Sequence, residues 1–436
     1  MKKEIQFALC LFAISCMSVT CKKQLASVPV IPPNDISLVN TSHLDYLYTP
    51  LTFTTGAGAA GIYIYAEAPD YHLVSAAGEG FTCVDDVARA AQVYIRSNKF
   101  SLDTTIQNKA FNLIRFTLEM QSANGYFYNF LFTNNTINTN GATSINDANW
   151  WSWRALYTLS EAGPVVRTKD IQLANKIDAA ISKLIAKIKT DLVNIPQTTK
   201  IVSGITVPEW LPAGSGTDQA AIIILGLIPY CVANNDAVLN SYIKKLADGI
   251  VLMQQGDASH FPYSCILSWE NTWHAYACDQ AYALIKAGIF LNSPSYTSKG
   301  IAFVDNFLPW LLQNGMKSSF VVNKNGSDII LSSEKSYEQI AYGIRPMVSA
   351  AAETYRLKND EKYADIAGHL AAWFSGANDA NKIMYSVTTG RCFDGIQSSS
   401  AINLNSGAES TIEALLTMEI VENSPAIKTA FNKYKK

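Results

Sequence analysis

Seven acidic residues stand where six apolar helical runs begin, and this is the pattern in the chain that most resembles chemistry. Asp85 and Asp86 lie in Glu79-Gly80-Phe81-Thr82-Cys83-Val84-Asp85-Asp86-Val87-Ala88-Arg89-Ala90. Asp147 lies in Asn146-Asp147-Ala148-Asn149-Trp150-Trp151, and Asp218 follows Gly214-Ser215-Gly216-Thr217. Glu270 lies in Ser268-Trp269-Glu270-Asn271-Thr272-Trp273-His274, Glu338 in Ser336-Tyr337-Glu338-Gln339, and Glu409 in Ser406-Gly407-Ala408-Glu409-Ser410. Two carboxyl groups across a cleft are what cleavage of a glycosidic bond requires: one donates a proton to the leaving oxygen, and the other activates water or attacks the anomeric carbon. The plainer alternative is helix capping, since acids at an N-terminus meet unpaired N–H groups and the positive end of the helix dipole. Several acids at one opening also repel one another, and a polyhydroxylated ligand, a cation or a shared proton would offset that cost.

The elements that would gather these acids alternate along the chain. Helices apolar almost all round start near residues 85, 147, 217, 272, 338 and 408. Each is followed by an amphipathic partner, such as the stripe Ile171, Ala174, Ile177, Ile181, Leu184 and Ile188. Helices apolar on every side belong inside, and amphipathic ones belong between core and water. Six of each predict an all-α (α/α)6 toroid over residues 81–436, with an open superhelical stack as the alternative. The links from an outer helix to the next inner one are long and partly β-like: 126–132, 200–208, and 320–322 with 329–331 around an Asn325-Gly326 turn. Parallel inner helices put all these links at one mouth. Residues 22–80, with Pro29, Pro32 and Pro33 and a strand reading at 62–65, form a linker and arm.

Tryptophans fall near the same mouth. Trp150, Trp151, Trp210, Trp269 and Trp273 are candidates for stacking on sugar rings, with core packing as the competing role. Hairpins one and four face each other in a six-membered ring, so the expected pair is Asp86 as base and Glu270 as acid, the latter raised by its apolar neighbours. Asp85 and Glu338 are further catalytic candidates. Arg89, one turn on, would keep Asp85 or Asp86 ionised, and Asp147, Asp218, Arg345, Asp394 and Glu409 are expected to bind substrate hydroxyls.

The phrases Asp85-Asp86-Val87-Ala88-Arg89-Ala90 and Ser406-Gly407-Ala408-Glu409-Ser410, set in this hairpin pattern, resemble those of the six-hairpin glycosidase superfamily over residues 80–436. The resemblance implies a glycoside hydrolase acting on an oligo- or polysaccharide, with inversion of stereochemistry. Two rivals remain. A polysaccharide lyase would use His274, Tyr276, Tyr337, Tyr342 and Arg345, and a non-catalytic glycan-binding lipoprotein would need the aromatics but not the acids.

Composition narrows the rest. A net charge of −2 with 16% charged residues provides no basic field for nucleic acid. Cys83, Cys231, Cys265, Cys278 and Cys392 form no CxxC pair, and the five histidines show no zinc spacing, so neither a disulfide framework nor a metal or other cofactor is expected. Residues 1–21 read as an export signal: Lys2 and Lys3, a short apolar core at 7–14, then Cys21, which resembles the lipidated cysteine of bacterial lipoproteins. Cys16 is the alternative, as is plain secretion with cleavage near Ala26. The expectation is a monomer in the bacterial cell envelope, touching membrane only through that anchor. No segment after the signal reads as a membrane span.

Overall fold

The computed structural model describes residues 37–53, 56 and 58–436. The signal reading, Cys16, Cys21 and residues 22–36 of the arm lie outside the described residues.

Six inner helices and their partners build the body. The inner set is α2 (Val84–Arg96), α4 (Trp150–Arg167), α6 (Thr217–Asn234), α8 (Gln280–Phe290), α11 (Ala341–Lys358) and α13 (Ala408–Glu422). The outer set is α3 (Thr104–Glu119), α5 (Ile171–Asp191), α7 (Ala237–Leu252), α9 (Pro294–Ala302) continued by α10 (Leu308–Asn314), α12 (Glu361–Ala371) and α14 (Pro425–Tyr434). Each inner helix packs on the next, and α13 packs back on α2, so the ring is closed and the chain is an (α/α)6 toroid. Close approach is built in where the ring needs it. A side chain on Gly226 of α6 would lie 2.8 Å from Leu156 and 3.0 Å from the Tyr157 backbone nitrogen of α4.

Helix α6 has the length and hydropathy of a membrane span, contrary to expectation. It is instead a core rod, buried among α4, α7 and α8.

Several elements differ from the sequence reading. The fourth inner helix begins at Gln280, not near residue 272, because Thr272–His274 is a strand pairing with Ser319–Asn325, the first arm of the hairpin completed by Asp328–Lys335. Residues 126–132 supply only the pair Phe130–Leu131, bonded to Thr82–Cys83. The strand-like stretch 200–208 falls within a hairpin, Thr199–Val202 with Ile205–Pro208.

The arm adds α1 (Ser42–Leu47) and two short strand pairs, Tyr48–Thr52 with Gly58–Ile62 and Tyr65–Glu67 with His72–Val74. The strand expected at 62–65 is interrupted at Tyr63 and Ile64, whose backbone turns to the toroid: the Ile64 N–H donates to Phe81 O, and Ile64 O accepts from the Ala408 N–H of α13. The arm thus lies over the seam where hairpin six meets hairpin one.

Candidate active site

How the helix ends are capped separates structural from functional acids. Outer helices α3, α5, α7 and α12 are capped by the carboxylates of Asp103, Asp170, Asp236 and Asp360. The acids of α2 and α13 do something else. In α2 the Val84 and Asp85 amides donate to the carbonyl and side-chain oxygens of Asn129, so Asp85 and Asp86 are released from capping. In α13 the Gly407 amide donates to Asp394, and the Ala408 amide donates to Ile64 O, which releases Glu409. Gly407 is required there, because a Cβ would sit 2.5 Å from Ile64 O.

The released carboxylates converge on Arg89. Its Nη2 lies 3.2 Å from Asp85, 2.8 Å from Asp86 and 3.2 Å from Glu409, while Nη1 lies 2.8 Å from Glu413, one turn beyond Glu409 on α13. Arg154 of α4 holds the other oxygen of Asp85 at 2.9 Å. Arg345 of α11 bridges Glu413 at 2.7 Å and Asp279, the residue before α8, at 2.9 Å. The ring of Tyr342 lies under all three guanidiniums, at 4.7, 4.7 and 5.5 Å. Five carboxyl groups thus face three arginines where five of the six inner helices begin.

These surroundings push the carboxyl groups apart. Burial raises Asp86 to about 6, against the pull of Arg89. Burial raises Glu409 to about 7, with Asp86 and Asp85 adding to the rise and Arg89 opposing it. Asp85, although buried, is held below its ordinary value by Arg89 and Arg154, and Glu413 by Arg345 and Arg89. Glu409, with a third of its side chain exposed, is the most accessible of the group; Asp86 is nearly sealed. One proton-holding acid beside a carboxylate kept ionised is the arrangement of acid–base catalysis. Single oxygens of Asp85, Asp86 and Glu409 lie within 4.8 Å of one another, close enough to suggest a cation site. Arg89 Nη2 already bonds to an oxygen of each, so the guanidinium supplies that positive charge.

The other candidates disperse. Glu270 lies in the loop before the strand Thr272–His274, 2.7 Å from Lys200, and is not among the carboxylates bonded to Arg89. Asp147 is exposed and accepts from its neighbour's amide, as a local turn residue. Glu338 is exposed, two residues before Ile340, the N-cap of α11. Asp218 is buried against His274 Nε2 at 3.1 Å, and His274 Nδ1 lies 2.9 Å from Tyr276 O. Asp394 Oδ1 accepts from both the Gly407 amide and Ser410 Oγ at 2.7 Å, which orients the start of α13; burial raises its carboxyl. Arg345 belongs to the charged cluster, between Glu413 and Asp279.

Of the tryptophans, Trp273 is fully buried against Phe320, while Trp151 and Trp210 are core residues whose indole N–H groups donate to backbone carbonyls. These three cannot stack on a ligand. Trp150, half-buried, packs edge-on to Tyr276 and beside Arg154, and Trp269 is exposed, so these two stay available. The sequence reading missed Arg154, Asp279 and Glu413. Their signal was a charge inside a helix otherwise apolar all round, or just before one, which must find a buried partner. Tyr65 of the arm was also missed: it is partly exposed, and its hydroxyl is raised by partial burial and by Glu79 and Asp86 nearby.

Neither family models nor curated proteins give a match to this chain. Among solved structures, it is similar to the cellobiose 2-epimerase of Bacillus thermoamylovorans B4167 (12% identity, TM-score 0.56, 84% of this chain and 92% of that one). It is similar to a sugar epimerase from a ruminal bacterium (9% identity, TM-score 0.56, the same coverage). A GH127 β-arabinofuranosidase matches at 13% identity and a TM-score of 0.48, over 77% of this chain and 51% of that one, so the chain spans about half of that protein's length. At these identities the likeness is one of fold.

Proposed function

We propose that this protein is a carbohydrate-active enzyme, and that it hydrolyses glycosidic bonds at the cluster of Asp85, Asp86 and Glu409. The observation that carries the reading is the split within one cluster: burial lifts Glu409 to about 7, while two arginines hold Asp85 ionised beside it. Glu409 donates its proton to the leaving oxygen as the anomeric C–O bond breaks, Asp85 faces the positive charge that develops on the sugar ring, and a water molecule then adds to the anomeric carbon and returns a proton to Glu409. Asp86, nearly sealed and raised to about 6, exchanges the proton with Glu409. Trp150 and Trp269 hold sugar rings on the approach. The trio is tighter than the gap of about 6.5–9.5 Å that admits a water in inverting enzymes, so inversion is not supported by this spacing. The fold likeness to a cellobiose 2-epimerase and a sugar epimerase is consistent with a carbohydrate substrate. Export with a lipid anchor at Cys21 remains part of the proposal, resting on the sequence of residues 1–21.

The test is turnover on a panel of oligosaccharides, read as new reducing ends. Glu409→Gln and Asp86→Asn should each lower kcat about a hundredfold or more, the usual weight of a general acid or base. Turnover that survives both substitutions would remove the cluster from the mechanism. A second reading, sugar epimerisation, is favoured by His274, which Asp218 and the Tyr276 carbonyl hold in place beside the same mouth. It predicts solvent deuterium in the recovered sugar without new reducing ends, lost in His274→Asn.

A further inference from the structure

The opposite end of the toroid contains a second chamber, independent of the reading given to the acid cluster. It has a volume of about 750 Å³ and opens where the inner helices end; Arg345, a member of the acid cluster, also lines this chamber. Its charges do not cancel within the wall. Glu161 accepts from Arg96 Nε at 2.7 Å and from Nη2 at 2.8 Å, so that pair is complete. Glu353 is taken by Arg356 through two bonds, at 2.9 and 2.6 Å, and Lys286 reaches the same carboxylate only at 3.4 Å. One carboxylate therefore serves two cations.

The remaining acid in the wall adds no compensating charge. Both oxygens of Glu419 are buried without a hydrogen-bond partner, and burial pushes its carboxyl up to about 8, so it is uncharged at neutral pH. Tyr282 stands one helical turn before Lys286 on α8, on the same face, and its hydroxyl makes no hydrogen bond among the described residues. Burial holds that hydroxyl in its protonated, donating form. Leu225, Ile228, Leu416 and Ile420 supply apolar wall. A surplus cation with an adjacent free donor, inside an apolar chamber, suits one kind of occupant.

We propose that this chamber binds a small organic monocarboxylate, its charged end on Lys286 Nζ and the Tyr282 hydroxyl and its apolar body against Leu225 and Leu416. The acid cluster has the opposite character, an excess of carboxyl groups, so the two ends of the toroid select different ligands.

Calorimetric titration of the full chain with hexanoate and with 4-hydroxybenzoate tests this, using hexanamide as the uncharged control. The expected result is saturable binding at one site, at least about tenfold weaker for the amide and in Lys286→Met, the usual scale of one charge-assisted contact. Tyr282→Phe should weaken it by a smaller factor, and Glu409→Gln at the other mouth should leave it unchanged. Thermal melts of each variant separate lost binding from lost fold. Absence of saturable binding, equal affinity for acid and amide, or loss in Glu409→Gln with retention in a folded Lys286→Met, would each overturn the proposal.

Discussion

Replacing Glu419 by glutamine should stabilise the protein, and by an amount that depends on pH. Glu419 lies in the last turn of α13, is 7% exposed and has neither carboxyl oxygen hydrogen-bonded. Burial lifts its carboxyl from 4.5 to about 8, with the Glu161 and Glu422 charges adding to the rise and Arg96 opposing it. Below pH 4.5 the group is protonated in the folded and unfolded chains alike. Between 4.5 and about 8 only the unfolded chain releases the proton, so the unfolded state binds fewer protons and stability falls as pH rises. Each pH step of one across that interval costs about 1.4 kcal/mol, which comes to about 3 kcal/mol by pH 7. Glutamine has the same shape and no ionisation, so Glu419→Gln should match the wild type near pH 4 and exceed it by about 3 kcal/mol at pH 7. Urea unfolding at the two pH values, followed by circular dichroism, measures the difference. Equal stabilities at pH 7, or a gain of the same size at both, would refute the claim that the native carboxyl is buried uncharged.

Three further substitutions probe the architecture and the assignment. Arg345→Met leaves Asp279 without its cation and Glu413 with Arg89 alone, and should cost about 3–5 kcal/mol in the same unfolding assay. Glu270→Gln removes only a half-exposed pair with Lys200, so stability should change by less than about 1 kcal/mol and turnover should be unchanged; a collapse in turnover would restore Glu270 to the mechanism. Gly226→Ala drives a methyl against Leu156 and the Tyr157 backbone, and should lower stability by about 1–3 kcal/mol through strain between α4 and α6.

The toroid was legible because helix burial imposes a pattern that survives without sequence likeness. Rods apolar on all sides, such as Ile222-Ile223-Ile224-Leu225, have nowhere to go but inside, and six of them close a ring. Half of the site was legible for the same reason: Asp85, Asp86, Arg89 and Glu409 stand at the starts of such rods. The setting of Glu270 was not. Its place on a loop rather than at a helix start depended on where the fourth inner helix begins, and Asn271 to Cys278 carries no strand signal strong enough to show that it pairs with a hairpin some fifty residues later. Arg154, Asp279 and Glu413 required knowledge of which helices touch, because the need of a buried Arg89 for several carboxylates does not name them. The tryptophans show the same limit. Trp150 and Trp151 are adjacent, yet helical geometry turns the first toward Tyr276 and the second into the core.

The protonation state of Glu409 bears most directly on the account. Infrared difference spectra between the wild type and Glu409→Gln, recorded across pH, isolate its carboxyl absorption from all others. A protonated carboxyl band that persists at pH 6 and gives way to the carboxylate with a midpoint near 7 is the expected result. A band already converted to carboxylate by pH 5 would mean that the mouth holds no acid ready to donate a proton, and the assignment of Glu409 would fail.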